Sequence, residues 1–152
     1  MSNVAFRRAA LSDLEQLAPL FDQYRQFQGK EAAPAAALDF LRERFTRSES
    51  VVFVAAEGQT LLGFAQLYPS YSSVSLARVF ILNDLFVRES ARRRGVASGL
   101  LAAVEDHAWS QAAVRITLNV AMDNQAGQSL YETMGWRRDA QFFMYHRFAN
   151  DR

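Results

Sequence analysis

The sequence contains no cysteine. That excludes disulfides, a thiolate nucleophile and zinc held by thiolates. It also fits a cytosolic protein. No apolar run is long enough to span a bilayer, and Met1 to Arg8 lacks the apolar stretch of a secretory signal. A soluble, unprocessed, cytoplasmic chain with no membrane partner is therefore expected. An excess of one charge is lacking too: 17 basic residues face 16 acidic ones, for a net charge of +1. This argues against wholesale binding to nucleic acid or anionic membranes, so any basic function must be local. Histidine is scarce, with only His107 and His146. Neither carries a paired-carboxylate motif, and no metal is expected.

What is present is core. Of 152 residues, 50% are hydrophobic and twelve are Phe. That length suits one domain, residues 1–152, with enough burial to offset chain entropy. Val4 to Arg8 reads as a strand. Ser12 to Glu15 reads as an S-x-x-E capping box opening a helix with the apolar stripe Leu14, Leu17, Ala18, Phe21 and Tyr24. Gly29 and Lys30 interrupt it, and Pro34 starts a second helix carrying Leu38, Leu41 and Phe45. Val51–Ala56 and Thr60–Tyr68 form a hairpin around Glu57-Gly58-Gln59. Pro69 to Ser75 reads as a loop. Leu76 to Val87, long and bulky, predicts a central strand buried on both faces. Ala97, Leu100, Leu101, Val104 and Ala108 repeat at helical spacing, with His107 at the border of the stripe. Val114 to Val120 reads as a strand. Asn124 to Met134 reads as a helix ended by Gly135. Trp136–Arg137 and Phe142–Phe148, which includes His146, read as two closing strands. The order β-α-α-β-β-β-α-β-α-β-β predicts an α/β fold.

The chemistry concentrates between Leu82 and Leu101. A strand is followed by Arg92-Arg93-Arg94-Gly95-Val96-Ala97 and then by a helix. A helix N-terminus offers unpaired N–H groups and a partial positive charge. A glycine there admits a ligand close to the backbone, and arginine forks add donors. A phosphate or pyrophosphate site and a solvated basic loop both fit this pattern. It is neither a Walker A loop nor a G-x-G-x-x-G fingerprint.

Arg92-x-x-Gly95-x-Ala97 resembles the R/Q-x-x-G-x-G/A pyrophosphate loop of the GCN5-related N-acetyltransferases, and stands after the fourth strand as it does there. Leu82 to Val87 is similar to that family's central strand. Asn124, Ala126, Leu130, Tyr131, Gly135 and Trp136 resemble its second motif, N-x-A-x-x-L/F-Y-x-x-x-G-(F/W). The resemblance implies a splayed mixed sheet flanked by about four helices. It also implies transfer of acetyl from acetyl-coenzyme A to a primary amine.

Carried over position by position, the resemblance gives the amides of Arg93, Arg94, Gly95, Val96, Ala97 and Ser98, with Arg92 beside them, to the pyrophosphate. Leu85 and Val87 would offer backbone groups to the pantetheine arm and the acetyl carbonyl. The Leu85 N–H would also stabilise negative charge developing on that carbonyl oxygen. Tyr131 would be the general acid, since a phenol titrating near 10 can protonate a leaving thiolate of pKa near 8.5. Asn124 and Gly127 share its helix face; Gly127 would let the arm pass close to that face, and Asn124 would cap the helix, hold the arm, or both. A half-buried packing tyrosine is the other reading of Tyr131. Asp84 would be the general base, or else a partner for a backbone N–H or Arg78. Asn83 stands where some polyamine-acetylating relatives carry Glu, which speaks against a polyamine acceptor.

The acceptor would lie among Tyr24, Arg25, Tyr68, Tyr71, Arg78, Asp84 and Phe143. No acidic residue occurs from Ser70 to Asn83, whereas a polycation would want several carboxylates. A small amine with an apolar or carboxylate-bearing body, such as an amino acid, is expected. Phe142, Phe143 and Tyr145 make a homodimer contact plausible. A protein acetyltransferase, an acyl-coenzyme A-binding module without turnover, and a nucleotide-binding protein remain alternatives.

Overall fold

The computed structural model describes residues 3–152. Backbone contacts divide them into a larger unit ending at Asn119 and a smaller one beginning at Val120. In the larger unit the order is β1 (Val4–Arg8), α1 (Leu14–Phe27), α2 (Pro34–Thr46), β2 (Val51–Glu57), β3 (Thr60–Ser72), β4 (Ala77–Val87), α3 (Val96–Ser110) and β5 (Ile116–Thr117). The five strands form one sheet in sequence order, antiparallel from β1 to β4 and parallel between β4 and β5.

The helices form where the apolar spacing predicts them. Leu14, Leu17, Ala18 and Phe21 of α1, with Ala37 and Leu41 of α2, bury against Val52, Val54, Ala56, Leu61 and Phe64. Val96, Leu100, Leu101, Val104 and Ala108 of α3 are also buried. A Cβ on Gly99 would meet the Phe6 ring at 2.1 Å, so glycine lets α3 approach β1. His107 stands between the rings of Phe53 and Phe80, each 5.6 Å away. Burial, and then the Arg8 charge, hold its pKa below the usual value, so it packs as a neutral ring.

Three local expectations change. The start of α1 is not capped by Ser12. Instead Asp13 accepts the Ala10 N–H at 2.7 Å and pairs with Arg7, whose charge and hydrogen bonds hold the Asp13 carboxyl low. The expected loop from Pro69 is strand as far as Ser72. Cross-strand pairing continues there, and Arg78 stacks 4.3 Å over the Tyr71 ring. The strand expected over Val114–Val120 shortens to Ile116–Thr117, the two residues that find partners in β4.

In the smaller unit, α4 (Gln125–Thr133) forms as the sequence predicts, and Gly135 follows it at φ +95°. The two closing strands do not form: residues 136–148 carry no regular structure. Phe143 and Tyr145 are each 91% exposed. Strand preference in aromatic residues reflects packing on a pleated surface, and these side chains have none to reward it.

Candidate active site

The site in the larger unit is built on β4. Its pairing with β3 slips between Gln66↔Asp84 and Leu67↔Leu82, leaving Asn83 as the extra residue of a bulge. A bulge bends the strand and re-aims neighbouring side chains. β5 pairs only with Phe80 and Ile81. Among the described residues, no strand is paired with β4 on that side beyond Ile81. The Arg88 N–H donates to the Leu62 carbonyl at 2.8 Å. Alternation along the strand then turns Phe86 toward β3, and Leu85 and Val87 toward the unpaired edge. Where a splay is expected, β4 has an edge that no described strand pairs, and Leu85 and Val87 face that edge. Arg92 Nε donates to the Val87 carbonyl at 3.2 Å.

The segment after β4 shapes the N-terminus of α3. Arg93 and Gly95 both adopt positive φ, at 65° and 75°. For Arg93, a non-glycine residue, this costs roughly 1–2 kcal/mol. The first intrahelical bond runs from the Gly99 N–H to the Gly95 carbonyl at 3.0 Å. The amides of Val96, Ala97 and Ser98 therefore precede the helical ladder and have no partner within it. A Cβ on Gly95 would meet only Ser98 Oγ, at 3.8 Å, so the space over this turn is open. These features suit an anion cradle of backbone donors. The three arginines differ in role. Arg94 is tied to Glu57, and Arg92 lies 5.8–5.9 Å from the Phe86 and Phe27 ring centres. Arg93 makes no hydrogen bond or ion pair with another described residue.

Asp84 is buried beside the bulge. Gln66 Nε2 donates to its Oδ2 at 2.8 Å, and Asn83 Nδ2 donates to its Oδ1 at 3.0 Å. Burial raises its pKa, while hydrogen bonds from Gln66, Asn83 and Tyr24 oppose the rise. The Tyr24 hydroxyl also donates to the Asn83 carbonyl at 3.3 Å. Burial, and then the Asp84 charge, push the Tyr68 phenol up to about 12. Tyr24, Tyr68 and Asp84, which sequence reasoning grouped, are thus brought together. Gln66 was missed. Its signal was a lone amide inside the apolar run Leu61–Leu67, where a side chain that is fully buried needs a polar reason to be there.

Two other expected acceptor residues are held by other partners. Arg25 pairs with buried Asp22 at 2.8 Å and donates to the Glu31 carbonyl, while Asp22 also receives the Ala33 N–H. It thereby fastens the connection between α1 and α2. Arg78 donates to the Tyr71 hydroxyl at 3.0 Å. That pair stands six residues along β4 from Asp84, about 20 Å away by strand rise. Arg78 is therefore not the partner of Asp84.

In the smaller unit, Asn124 Oδ1 accepts the Gly127 N–H at 3.0 Å and caps α4. A Cβ on Gly127 would lie 2.8 Å from the Asn124 amide, so this glycine makes room for the cap. The Tyr131 ring packs 6.0 Å from Trp136. Its hydroxyl bonds to no described residue, and burial raises its pKa, which keeps the phenol protonated through the neutral range. Phe143 lies in the irregular segment after α4. Among the described residues, no three His, Asp or Glu side chains converge as a metal site, and no helix is long and apolar enough to cross a membrane.

Comparison with known proteins matches this fold to a family. Residues 14–136 match the model of the acetyltransferase (GNAT) family. The chain is 42% identical to the uncharacterized N-acetyltransferase YhfO of Bacillus subtilis (strain 168), over 91% of this chain and 93% of the relative. It is 44% identical to a crystal structure of a probable acetyltransferase, with a TM-score of 0.89, over 94% of this chain and 96% of the other. An aminoglycoside N-acetyltransferase in complex with CoA shares the fold, with a TM-score of 0.81 at 22% identity over 97% of this chain and 96% of the other. The chain belongs to the acetyltransferase (GNAT) family and is an acyl-CoA-dependent N-acetyltransferase.

Proposed function

We propose that this enzyme acetylates the primary amine of a small molecule such as an amino acid, with acetyl-coenzyme A as the donor. The observation that carries the reading is the unpaired edge of β4, presenting Leu85 and Val87, followed by the open N-terminus of α3. The amides of residues 93–98, with Arg93 as the uncommitted cation, would hold the pyrophosphate. Leu85 and Val87 would hold the arm, with Arg92 giving up its bond to the Val87 carbonyl. The coenzyme supplies the activated acyl group. This chain's residues supply orientation and proton transfer: Asp84 takes the proton of the substrate ammonium, and Tyr131 gives one to the leaving sulfur.

The family match runs across the boundary at Asn119, which supports reading residues 1–152 as one acetyltransferase domain. The exposed Phe142, Phe143 and Tyr145 support a homodimer, and a cytoplasmic location completes the reading.

Asp84 is a single carboxylate set among Tyr24, Tyr68 and Asn83, which suits one ammonium group on an apolar body better than a polycation. An acceptor screen tests this. Amino acids and other small monoamines are expected to be acetylated at least tenfold faster than spermidine or a lysine peptide. Preference for spermidine or for the peptide would overturn the acceptor class.

A further inference from the structure

Gln66 is fully buried, and its two amide atoms are unequally used. Nε2 donates to Asp84 at 2.8 Å, while Oε1 is buried with no hydrogen-bond partner. An orphaned acceptor inside a sheet is costly, typically about 1–3 kcal/mol. An apolar residue of similar size in β3 would avoid that cost. The arrangement makes sense if Asp84 changes its charge.

We propose that Gln66 is a positioning residue that serves both charge states of Asp84, donating Nε2 to the carboxylate and, after the amide turns over, accepting the proton of the carboxylic acid at Oε1. A carboxylate is an acceptor only, whereas a carboxylic acid has one O–H to donate. The proton comes from the substrate ammonium: its N–H bond breaks as the O–H bond forms on Asp84, leaving a neutral amine. Each amide orientation leaves one Gln66 atom unpartnered, so neither state is fully satisfied and the pair is not locked in one of them. The other groups facing Asp84 are Asn83 beside it on β4, Tyr24 from α1 and Tyr68 from β3, with Arg44 of α2 within electrostatic reach of Tyr68. The Asn83 amide can likewise present a donor or an acceptor to Asp84, but of the two amides only that of Gln66 is fully buried with its oxygen lacking a hydrogen-bond partner.

The proposal rests on Asp84 as the base, and the test separates the two ideas. The Asp84 carboxyl is followed by carbon NMR as a function of pH in the wild type, Gln66→Leu and Gln66→Met. Charge-assisted hydrogen bonds are about twice as strong as neutral ones, so losing both states' bonds disfavours the carboxylate more. The Asp84 titration is expected to move to higher pH in both variants. The Gln66 side-chain amide signals of the wild type should shift with the Asp84 midpoint. The acid limb of kcat/KM should follow, giving about a fivefold loss on the acid side of the wild-type Asp84 midpoint that fades as pH rises above it. An unmoved Asp84 titration in two folded variants would overturn the role of Gln66, whatever the activity does. A moved titration that the rate ignores would keep the Gln66–Asp84 coupling and overturn Asp84 as the base.

Discussion

Asp84→Asn is expected to lower kcat/KM by about 10²–10³-fold, within the roughly 10²–10⁴-fold that a general base contributes and as the proposed role requires, while raising the thermal midpoint at pH 7. The two effects share one cause. Burial raises the Asp84 pKa above its unfolded value. A group with a raised folded pKa favours folding below the unfolded pKa, and that contribution is lost as pH rises through the folded pKa. At pH 7 the buried carboxylate therefore opposes folding. Asparagine removes the charge, and once the Gln66 amide turns over, the new amide can donate to Gln66 Oε1. A gain of about 1 kcal/mol, or roughly 2–4 °C, is expected at pH 7 and should shrink at pH 4. Calorimetry at both pH values with initial rates on the same preparation checks it. A variant that is less stable at pH 7, or as active as the wild type, contradicts this account of Asp84.

The second large effect is expected from Tyr131→Phe. Its hydroxyl bonds to no described residue, so deleting it should change the midpoint by less than about 2 °C. The rate should nevertheless fall about 10²-fold in kcat, because the proposed proton donor is lost. Binding of coenzyme A, measured by titration calorimetry, should change less than threefold. A loss confined to binding would make Tyr131 a packing or cofactor-holding residue. Unchanged turnover would remove it from the mechanism.

Much of this was legible because it rests on periodicity. Leu14, Leu17, Ala18 and Phe21 mark one helix face, and Leu100, Leu101, Val104 and Ala108 another; both are buried as spaced. Arg92 to Ala97 announced a turn before a helix, and Gly95 takes the positive φ that the turn requires. What escaped depends on pairing. Nothing local marks Asn83 as a bulge, because the slip exists only relative to β3. Arg94 looked like a phosphate ligand, but its partner Glu57 is distant in sequence. Arg25 and Arg78 looked like substrate contacts, but nearer partners, Asp22 and Tyr71, hold them. Gln66 was hidden for the opposite reason: an amide in an apolar run invites no comment until the carboxylate across the strand is known. The closing strands failed because aromatic content predicts strand only where a surface receives it.

The edge of β4 and the N-terminus of α3 are the proposed binding site of acetyl-coenzyme A. The most direct test is the thermal midpoint with and without acetyl-coenzyme A, with ATP as the control for phosphate binding alone. At about a hundred times its dissociation constant, a ligand adds roughly 2.7 kcal/mol, which for a chain of this size is about 5–10 °C. A rise of that order with acetyl-coenzyme A and less than about 1 °C with ATP is the predicted result. No rise with acetyl-coenzyme A, or an equal rise with ATP, would contradict it.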